Sequence, residues 1–105
     1  MVKKNACIFI SGAGSNLKNL INKSRDYNFP ITIKLVVSNN KNAQGLRYAK
    51  QNSIPTLIIN TKSRYFENKI FFYLKVYKIN LICLAGYMKI ISKKFLRKYK
   101  KKIIN

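Results

Sequence analysis

A glycine-containing segment near the start of the chain, Ser11-Gly12-Ala13-Gly14-Ser15-Asn16-Leu17, has the residue types of a phosphate-binding turn. The apolar residues Ala6–Ile10 before it predict a buried strand, and the residues after it predict a helix. Glycines let the backbone approach an anion, and the free N–H groups at the start of a helix point at that anion. We therefore expect a phosphate monoester to bind the backbone N–H groups of Gly14, Ser15 and Asn16, with the Ser15 hydroxyl adding a contact.

The segment departs from two common nucleotide-binding motifs. Leu17 stands where the third glycine of GxGxxG belongs, and Asn39 and Asn40 stand where an acidic ribose-binding residue is expected. A Walker A loop is excluded because no Gly-Lys-Ser/Thr follows the glycines. A single phosphate fits the segment better than a dinucleotide does, and the alternative is a tight turn that binds nothing.

Strands and helices alternate along the rest of the chain. Strands are predicted at 6–10, 31–37, 56–59 and 81–85, and a fifth begins at 103–104; helices are predicted at 16–23, 43–51, 63–77 and 92–99. Ser63 and Ser92 are the predicted N-caps of the last two helices. This alternation predicts an α/β fold with a Rossmann-like, mostly parallel sheet and helices on both faces, formed as one domain over residues 1–105.

The loops at the carboxyl ends of the strands are the expected binding region, because ligands of parallel sheets bind there. The sequence places four segments at this edge, namely Ser11–Asn16, Ser38–Asn42, Asn60–Arg64 and Gly86–Ile91. Arg64 is a candidate contact for phosphate or substrate. The last loop is apolar and contains Met88, so it suits either a pocket for a flat aromatic ligand or ordinary core packing.

The charge of the chain is extreme, with 22 Lys and Arg against 2 Asp and Glu and a formal net charge of +20. A polyanionic partner would explain it, and so would compositional drift, since Lys, Asn and Ile are the residues that AT-rich coding sequence supplies. The lysines are spread over nearly every segment, and the sequence has no nucleic-acid-binding motif. We therefore favour drift and do not expect a nucleic-acid partner.

The two cysteines, Cys7 and Cys83, lie in apolar strand-like runs without CxxC spacing. We expect two buried free thiols in a reducing compartment, with a disulfide as the alternative. No apolar stretch approaches the roughly 20 residues of a membrane span, so we expect a cytoplasmic protein without a membrane partner.

Three motifs together resemble the phosphoribosylglycinamide formyltransferase family: Ser11–Leu17, Ser38-Asn39, and Leu84-Ala85-Gly86-Tyr87-Met88-Lys89-Ile90-Ile91-Ser92. The resemblance covers the whole chain and implies the formyltransferase fold. It also implies transfer of a formyl group from 10-formyltetrahydrofolate to glycinamide ribonucleotide in de novo purine synthesis, without a metal. A related formyltransferase acting on methionyl-tRNA, and a non-catalytic basic module that binds nucleic acid, are the alternatives.

The resemblance also implies roles for individual residues. Gly14, Ser15 and Asn16 would hold the 5′-phosphate of the ribonucleotide. The folate pocket would be lined by Met88, Lys89, Ile90 and Ile91. Lys89 stands where the family usually has Arg, and Ile91 where it usually has Leu, which are mild changes for a pocket wall.

The C-terminal residue Asn105 aligns with the family's catalytic Asn, which stabilises the tetrahedral oxyanion together with a His, while an Asp manages the protons. The chain has no histidine, and neither of its two acidic residues matches that Asp. We therefore expect an N-terminal half cut short after the start of the fifth strand, with little activity by itself. A complementing C-terminal fragment would then be its partner.

Overall fold

The computed structural model describes residues 3–12, 15–85 and 93–104. Its strands are β1 (Lys4–Ile10), β2 (Ile31–Ser38), β3 (Thr56–Ile58), β4 (Leu81–Leu84) and β5 (Lys102–Ile104). Its helices are α1 (Ser15–Ser24), α2 (Gly45–Gln51), α3 (Phe66–Val76) and α4 (Lys93–Lys98). The strands form one parallel sheet in the order β3-β2-β1-β4-β5, which confirms the predicted α/β architecture.

Two apolar layers enclose the sheet because the side chains of β1 alternate between its faces. Ala6, Ile8 and Ile10 pack on one face with residues of α1 and α2, including Leu17 and Leu46. On the opposite face the core includes residues of β1, α3 and α4 and the residue that follows α4: Cys7, Phe9, Ile70, Leu74, Phe95 and Tyr99. Helices therefore cover both faces, as the sequence predicts.

The third helix begins later than predicted. α3 starts at Phe66 with Tyr65 at its N-cap, and no side-chain hydrogen bond caps it. The prediction of Ser63 as the N-cap is therefore wrong, because Ser63 lies three residues before the helix, in a turn where its N–H donates to the Asn60 carbonyl. The proposed cap Ser92 lies outside the described residues.

α2 and α3 both end in a Schellman motif. After α2, the N–H groups of Ser53 and Ile54 donate to the carbonyls of Lys50 and Ala49 at 3.1 and 2.9 Å. After α3, Lys78 and Ile79 repeat the pattern. Ser53 and Lys78 therefore take left-handed backbone conformations, with φ of 57° and 53°, at positions where glycine is the usual residue.

No helix in the described part of the chain is both long and apolar enough to cross a membrane.

Candidate functional site

The loops after β1 and β2 are joined by side-chain hydrogen bonds at the carboxyl edge of the sheet. The Ser11 hydroxyl donates to the side-chain carbonyl of Asn39 at 2.8 Å, and the side-chain amide of Asn40 donates to the Ser11 carbonyl at 3.4 Å. α1 begins at Ser15, only a few residues further on. These bonds hold the start of the glycine segment against the polar turn that follows β2.

Ser38 fixes the shape of that polar turn. It is fully buried at the end of β2, where its hydroxyl accepts from the Asn40 N–H and donates to the Asn40 carbonyl, both at 3.0 Å. The Asn40 side chain accepts from the Asn42 N–H at 3.0 Å. The backbone groups of the turn are therefore satisfied locally, and the turn is held in one conformation.

A polar cavity of about 400 Å³ lies between the two loops. It is lined by Gly12, Asn40, Asn42, Ala43, Gln44 and Arg47. A Cβ built on Gly12 meets no atom within 4 Å, so the fold itself does not require glycine at that position. The space beside Gly12 is open to a ligand, and the Arg47 guanidinium is the cation of this cavity.

A second cavity, of about 360 Å³, lies beside the first turns of α1. Asn16 and Lys23 contribute polar groups to it, and Leu84, Ala85 and Ile104 contribute apolar groups from the carboxyl ends of β4 and β5. Asn16 is exposed, so its side chain is available at the mouth of this cavity. Two cavities of different character therefore open at the carboxyl edge near the glycine segment.

Arg64 lies apart from these two cavities. It follows β3, stacks over the Tyr65 ring with 5.6 Å between the guanidinium carbon and the ring centroid, and lines a smaller cavity with Glu67, Asn68 and Lys98. The structure therefore does not bring Arg64 into a cavity with Gly12 or Asn16. Its role as a contact for phosphate or substrate stays a prediction.

The remaining predicted site residues fall largely outside the described part of the chain. Ser15 is placed as the first residue of α1. The residues that lie outside the description are Gly14, Met88, Lys89, Ile90, Ile91 and Asn105. Their predicted roles in phosphate binding, folate binding and catalysis remain predictions.

Arg47 is a site residue that the sequence analysis did not single out, and Ser38 was named there only as part of the loop and motif after the second strand. Arg47 follows the polar turn by five residues and points from α2 into the polar cavity, but one Arg among 22 basic residues gives no distinguishing signal. Ser38 did carry a signal. It is a polar residue at the end of an apolar strand, where a buried hydroxyl must find hydrogen-bond partners.

The two cysteines are buried and unpaired, as predicted. Burial raises the pKa of the Cys7 thiol well above its ordinary value, and repulsion from Cys83 raises it further. Burial also raises the pKa of Cys83. Both thiols are therefore protonated at neutral pH and are poor nucleophiles, so they act as core residues.

The described residues contain no group of three or more His, Cys, Asp or Glu side chains able to hold a metal ion. The polar groups that the described residues place at the carboxyl edge include amides, a hydroxyl and an arginine.

The fold and the site together define a class. The chain is a Rossmann-like α/β protein, with helices on both faces of a parallel five-stranded sheet. Its polar cavity and the more apolar one beside α1 lie at the carboxyl ends of the strands, where proteins of this class bind ligands.

The family follows from comparison with known proteins. The model of the formyl transferase family matches residues 4–105, so the chain belongs to that family. It is 37% identical over 108 residues to phosphoribosylglycinamide formyltransferase of Haemophilus influenzae, covering 97% of this chain and 50% of that protein. It is 38% identical over 107 residues to the trifunctional purine biosynthetic protein adenosine-3 of Homo sapiens, covering 98% of this chain and 11% of that protein.

Solved structures give the same result. The crystal structure of phosphoribosylglycinamide formyltransferase from Brucella melitensis superposes with a TM-score of 0.89 at 37% identity, covering 97% of this chain and 55% of that one. The enzyme of the same name from Anaplasma phagocytophilum gives a TM-score of 0.87 at 33% identity, covering 97% and 48%. The formyltransferase fold is thus established, and the chain spans about half the length of these bacterial relatives.

Proposed function

We propose that this chain binds the 5′-phosphate of glycinamide ribonucleotide and supplies the substrate-holding part of a phosphoribosylglycinamide formyltransferase. The observation that carries the proposal is the start of α1 at Ser15, beside loops that the Ser11–Asn39 hydrogen bond joins at the binding edge of the sheet. The free N–H groups of a helix's first turn and its dipole favour a bound phosphate there. The names of the relatives support this substrate over a tRNA.

The reaction proposed for the complete site is formyl transfer in purine synthesis, with 10-formyltetrahydrofolate as the donor. The amine of the ribonucleotide attacks the formyl carbon, and a new C–N bond forms. The tetrahedral intermediate then collapses by breaking the bond to the folate nitrogen, which takes up a proton as the amine loses one. Met88, Lys89, Ile90 and Ile91 are the proposed folate contacts, and Asn105 is the proposed donor to the oxyanion.

Arg47 adds a cation to the proposed substrate site. It lines the polar cavity together with Gly12, next to the glycine segment. A guanidinium at that position would attract an anionic ligand and pair with a phosphate oxygen. The proposal therefore includes Arg47 as a phosphate-steering residue of this chain.

The phosphate-binding step can be tested by changing one backbone group. Ser15→Pro removes a backbone N–H that the first turn of α1 does not use internally, and proline is tolerated at this helix position. We expect the affinity for glycinamide ribonucleotide, measured by isothermal titration calorimetry, to fall by about tenfold or more, because a hydrogen bond to a charged group is lost.

Ser15→Ala is the matched control, since it keeps the N–H and removes only the hydroxyl. We expect a smaller loss of affinity for Ser15→Ala and unchanged thermal unfolding for both variants. Equal affinities of Ser15→Pro and the unmodified chain would contradict the proposed phosphate site.

A segment corresponding to the second half of the relatives is part of the proposal, because the described sheet presents an open apolar surface beside the site. β5 is an outer strand of the sheet, Ile104 is 41% exposed, and Leu84 and Ala85 are only half-buried in the cavity that they share with it. Such a segment, covalently joined or separate, would bury these side chains. It would also bring catalytic groups that residues 1–105 do not contain.

Formyl-transfer assays test this requirement. We expect the 105-residue chain alone to show background turnover, because the chain has no histidine and one lost oxyanion donor already costs about 100- to 1,000-fold. Adding the second-half segment of the Haemophilus influenzae relative should raise turnover. Substantial turnover by the chain alone would show that no second segment is needed. If the mixture of the two segments shows no turnover while the chain still binds the ribonucleotide, only the proposed complementation is refuted.

A further inference from the structure

A cavity of about 440 Å³ lies at the opposite edge of the sheet from the proposed substrate site. It is formed where α3 leads into β4 and where α4 leads into β5, at the amino ends of these strands. Its lining residues are Phe71, Leu74, Lys75, Lys78, Ile79, Lys98, Tyr99, Lys100 and Lys101. The formyl-transfer chemistry proposed above uses none of these residues.

The cavity has an apolar, aromatic floor. Leu74 and Ile79 are buried in it, and Phe71 and Tyr99 present aromatic rings. These rings belong to a stack in which Phe95 lies 4.6 Å from Phe71 and 6.1 Å from Tyr99, centroid to centroid. The floor is therefore a rigid surface against which a flat ring can pack.

The Tyr99 hydroxyl lies beneath this floor. The Tyr99 side chain is 9% exposed, and its hydroxyl oxygen is buried with no hydrogen-bond partner among the described residues. Burial and the nearby Cys7 thiol of the core together raise the pKa of Tyr99 to about 12. The hydroxyl therefore faces the core, and Tyr99 offers the cavity apolar ring surface only.

Positive charge is concentrated around the cavity. Five of its nine lining residues are lysines, all exposed, and none is acidic. The polar cavity beside Gly12 has one basic residue among six, and the cavity beside Asn16 has one among eight. The general excess of lysine in the chain therefore does not explain this concentration.

The ends of the two helices do not neutralise these lysines. α3 and α4 both end at this edge, and each helix C-terminus carries at most about half a negative charge. Their sum, about one negative charge, faces five ammonium groups. Of the two acidic residues of the chain, Asp26 is not among the lining residues, and Glu67 lines the adjoining cavity together with Lys98, where it can offset at most one further positive charge. Most of the positive charge is therefore available to a ligand.

From this combination we infer that the cavity binds a nucleoside polyphosphate. The aromatic base would pack on the rings of Phe71 and Tyr99, and the phosphates would lie among the lysines. The volume is within the range of small-molecule sites, and ammonium groups are effective phosphate ligands. The site is separate from the one proposed for the ribonucleotide, so either can exist without the other.

The experiment measures the binding of ATP, without magnesium, to the unmodified 105-residue chain. Binding is measured by calorimetry for ATP, adenosine and tripolyphosphate, and its position by chemical-shift changes of backbone amides. We expect ATP to bind at least about tenfold more tightly than either of its parts, because base and phosphates contact different portions of the cavity. Amides of Ile79 and Tyr99 should shift, and glycinamide ribonucleotide should not displace ATP.

The combined substitution Lys75→Gln, Lys98→Gln and Lys101→Gln should weaken ATP binding by about tenfold or more. The matched control replaces Lys34, Lys50 and Lys69 by Gln, which removes the same charge from exposed positions away from the cavity. This control variant should weaken ATP binding less than about threefold, because its lysines act on the phosphates only through long-range electrostatic attraction, which salt screens. If the first triple variant does not fold, Lys100→Gln and Lys101→Gln are tested singly, each with an expected loss of about two- to fivefold.

Three results would overturn the inference. Equal losses in the two triple variants would show non-specific attraction to a basic protein. Tripolyphosphate binding as tightly as ATP would show that the aromatic floor takes no part. Shifts confined to the amides of Gly12 and Asn40, or displacement by the ribonucleotide, would place ATP at the other edge of the sheet.

Discussion

At the scale of single residues, the candidate site depends on small polar side chains placed at the ends of apolar strands. Ser38 lies in the core yet has both hydrogen-bonding functions of its hydroxyl satisfied by the backbone of Asn40. Ser11 uses its hydroxyl to hold Asn39. The thiols of Cys7 and Cys83 are buried in the core, and burial raises their pKa values and keeps them protonated. Polar side chains at the ends of the strands thus lie near the candidate site, whereas those within the strands are buried in the core.

Replacing Ser38 by Ala should lower the free energy of unfolding by about 1–3 kcal/mol, because the Asn40 N–H and carbonyl lose their partner. The measurement is urea unfolding followed by circular dichroism. Ser63→Ala, at an exposed position in the turn before α3, is the control and should change stability by less than about 0.5 kcal/mol. Equal effects of the two substitutions would show that Ser38 does not organise the turn.

At the scale of elements, α2 and α3 are defined more by their packing and their C-terminal ends than by N-terminal caps. Neither α2 nor α3 has a side-chain cap at its N-terminus, and both end in a Schellman motif. The left-handed residues of these motifs, Ser53 and Lys78, have side chains where glycine would relieve strain. The left-handed conformation at these two positions therefore lowers the free energy of unfolding slightly.

Ser53→Gly should raise the free energy of unfolding by about 0.5–1 kcal/mol, because the gain from relieving strain exceeds the larger entropy of glycine in the unfolded chain. Ser53→Ala keeps a Cβ in the left-handed region and should not give this gain. Thermal and urea unfolding measure both variants. A Ser53→Gly variant less stable than the unmodified chain would refute the strain at this position.

At the scale of the whole molecule, a net charge of +20 on 105 residues opposes folding through self-repulsion. The repulsion is stronger in the compact state, where the charges are closer together, than in the unfolded chain. Salt shortens the screening distance, from about 10 Å at 0.1 M to about 3 Å at 1 M. The stability of this protein should therefore depend on ionic strength more than that of a protein with balanced charges.

Raising NaCl from 0.05 to 0.5 M should raise the midpoint of thermal unfolding by several degrees. The variant with Lys34, Lys50 and Lys69 replaced by Gln has a net charge lowered by three, from +20 to +17. Since repulsion scales with the square of the charge, its response to salt should be smaller by roughly a quarter. An unchanged midpoint across the salt range would show that the excess charge does not limit stability.

The alternation of apolar runs with amphipathic segments determined the α/β class, the parallel sheet and nearly all element positions, because periodicity is a local property of the chain. The two free buried cysteines were predicted from the apolar runs in the same way. The start of α3 was not, because Ser63 lies in a backbone turn with Asn60 and the helix begins only at Phe66.

The sequence by itself determined the glycine segment, the polar turn after β2 and the family motifs, because residue type and spacing along the chain are sufficient to define them. Tertiary structure decided which of these segments meet. It joined Ser11 to Asn39, placed Arg47 beside Gly12, separated Arg64 from both, and gathered five lysines from two helix ends around one aromatic floor. Those neighbours are distant along the chain, and only the strand order β3-β2-β1-β4-β5 and the packing of helices on it bring them together.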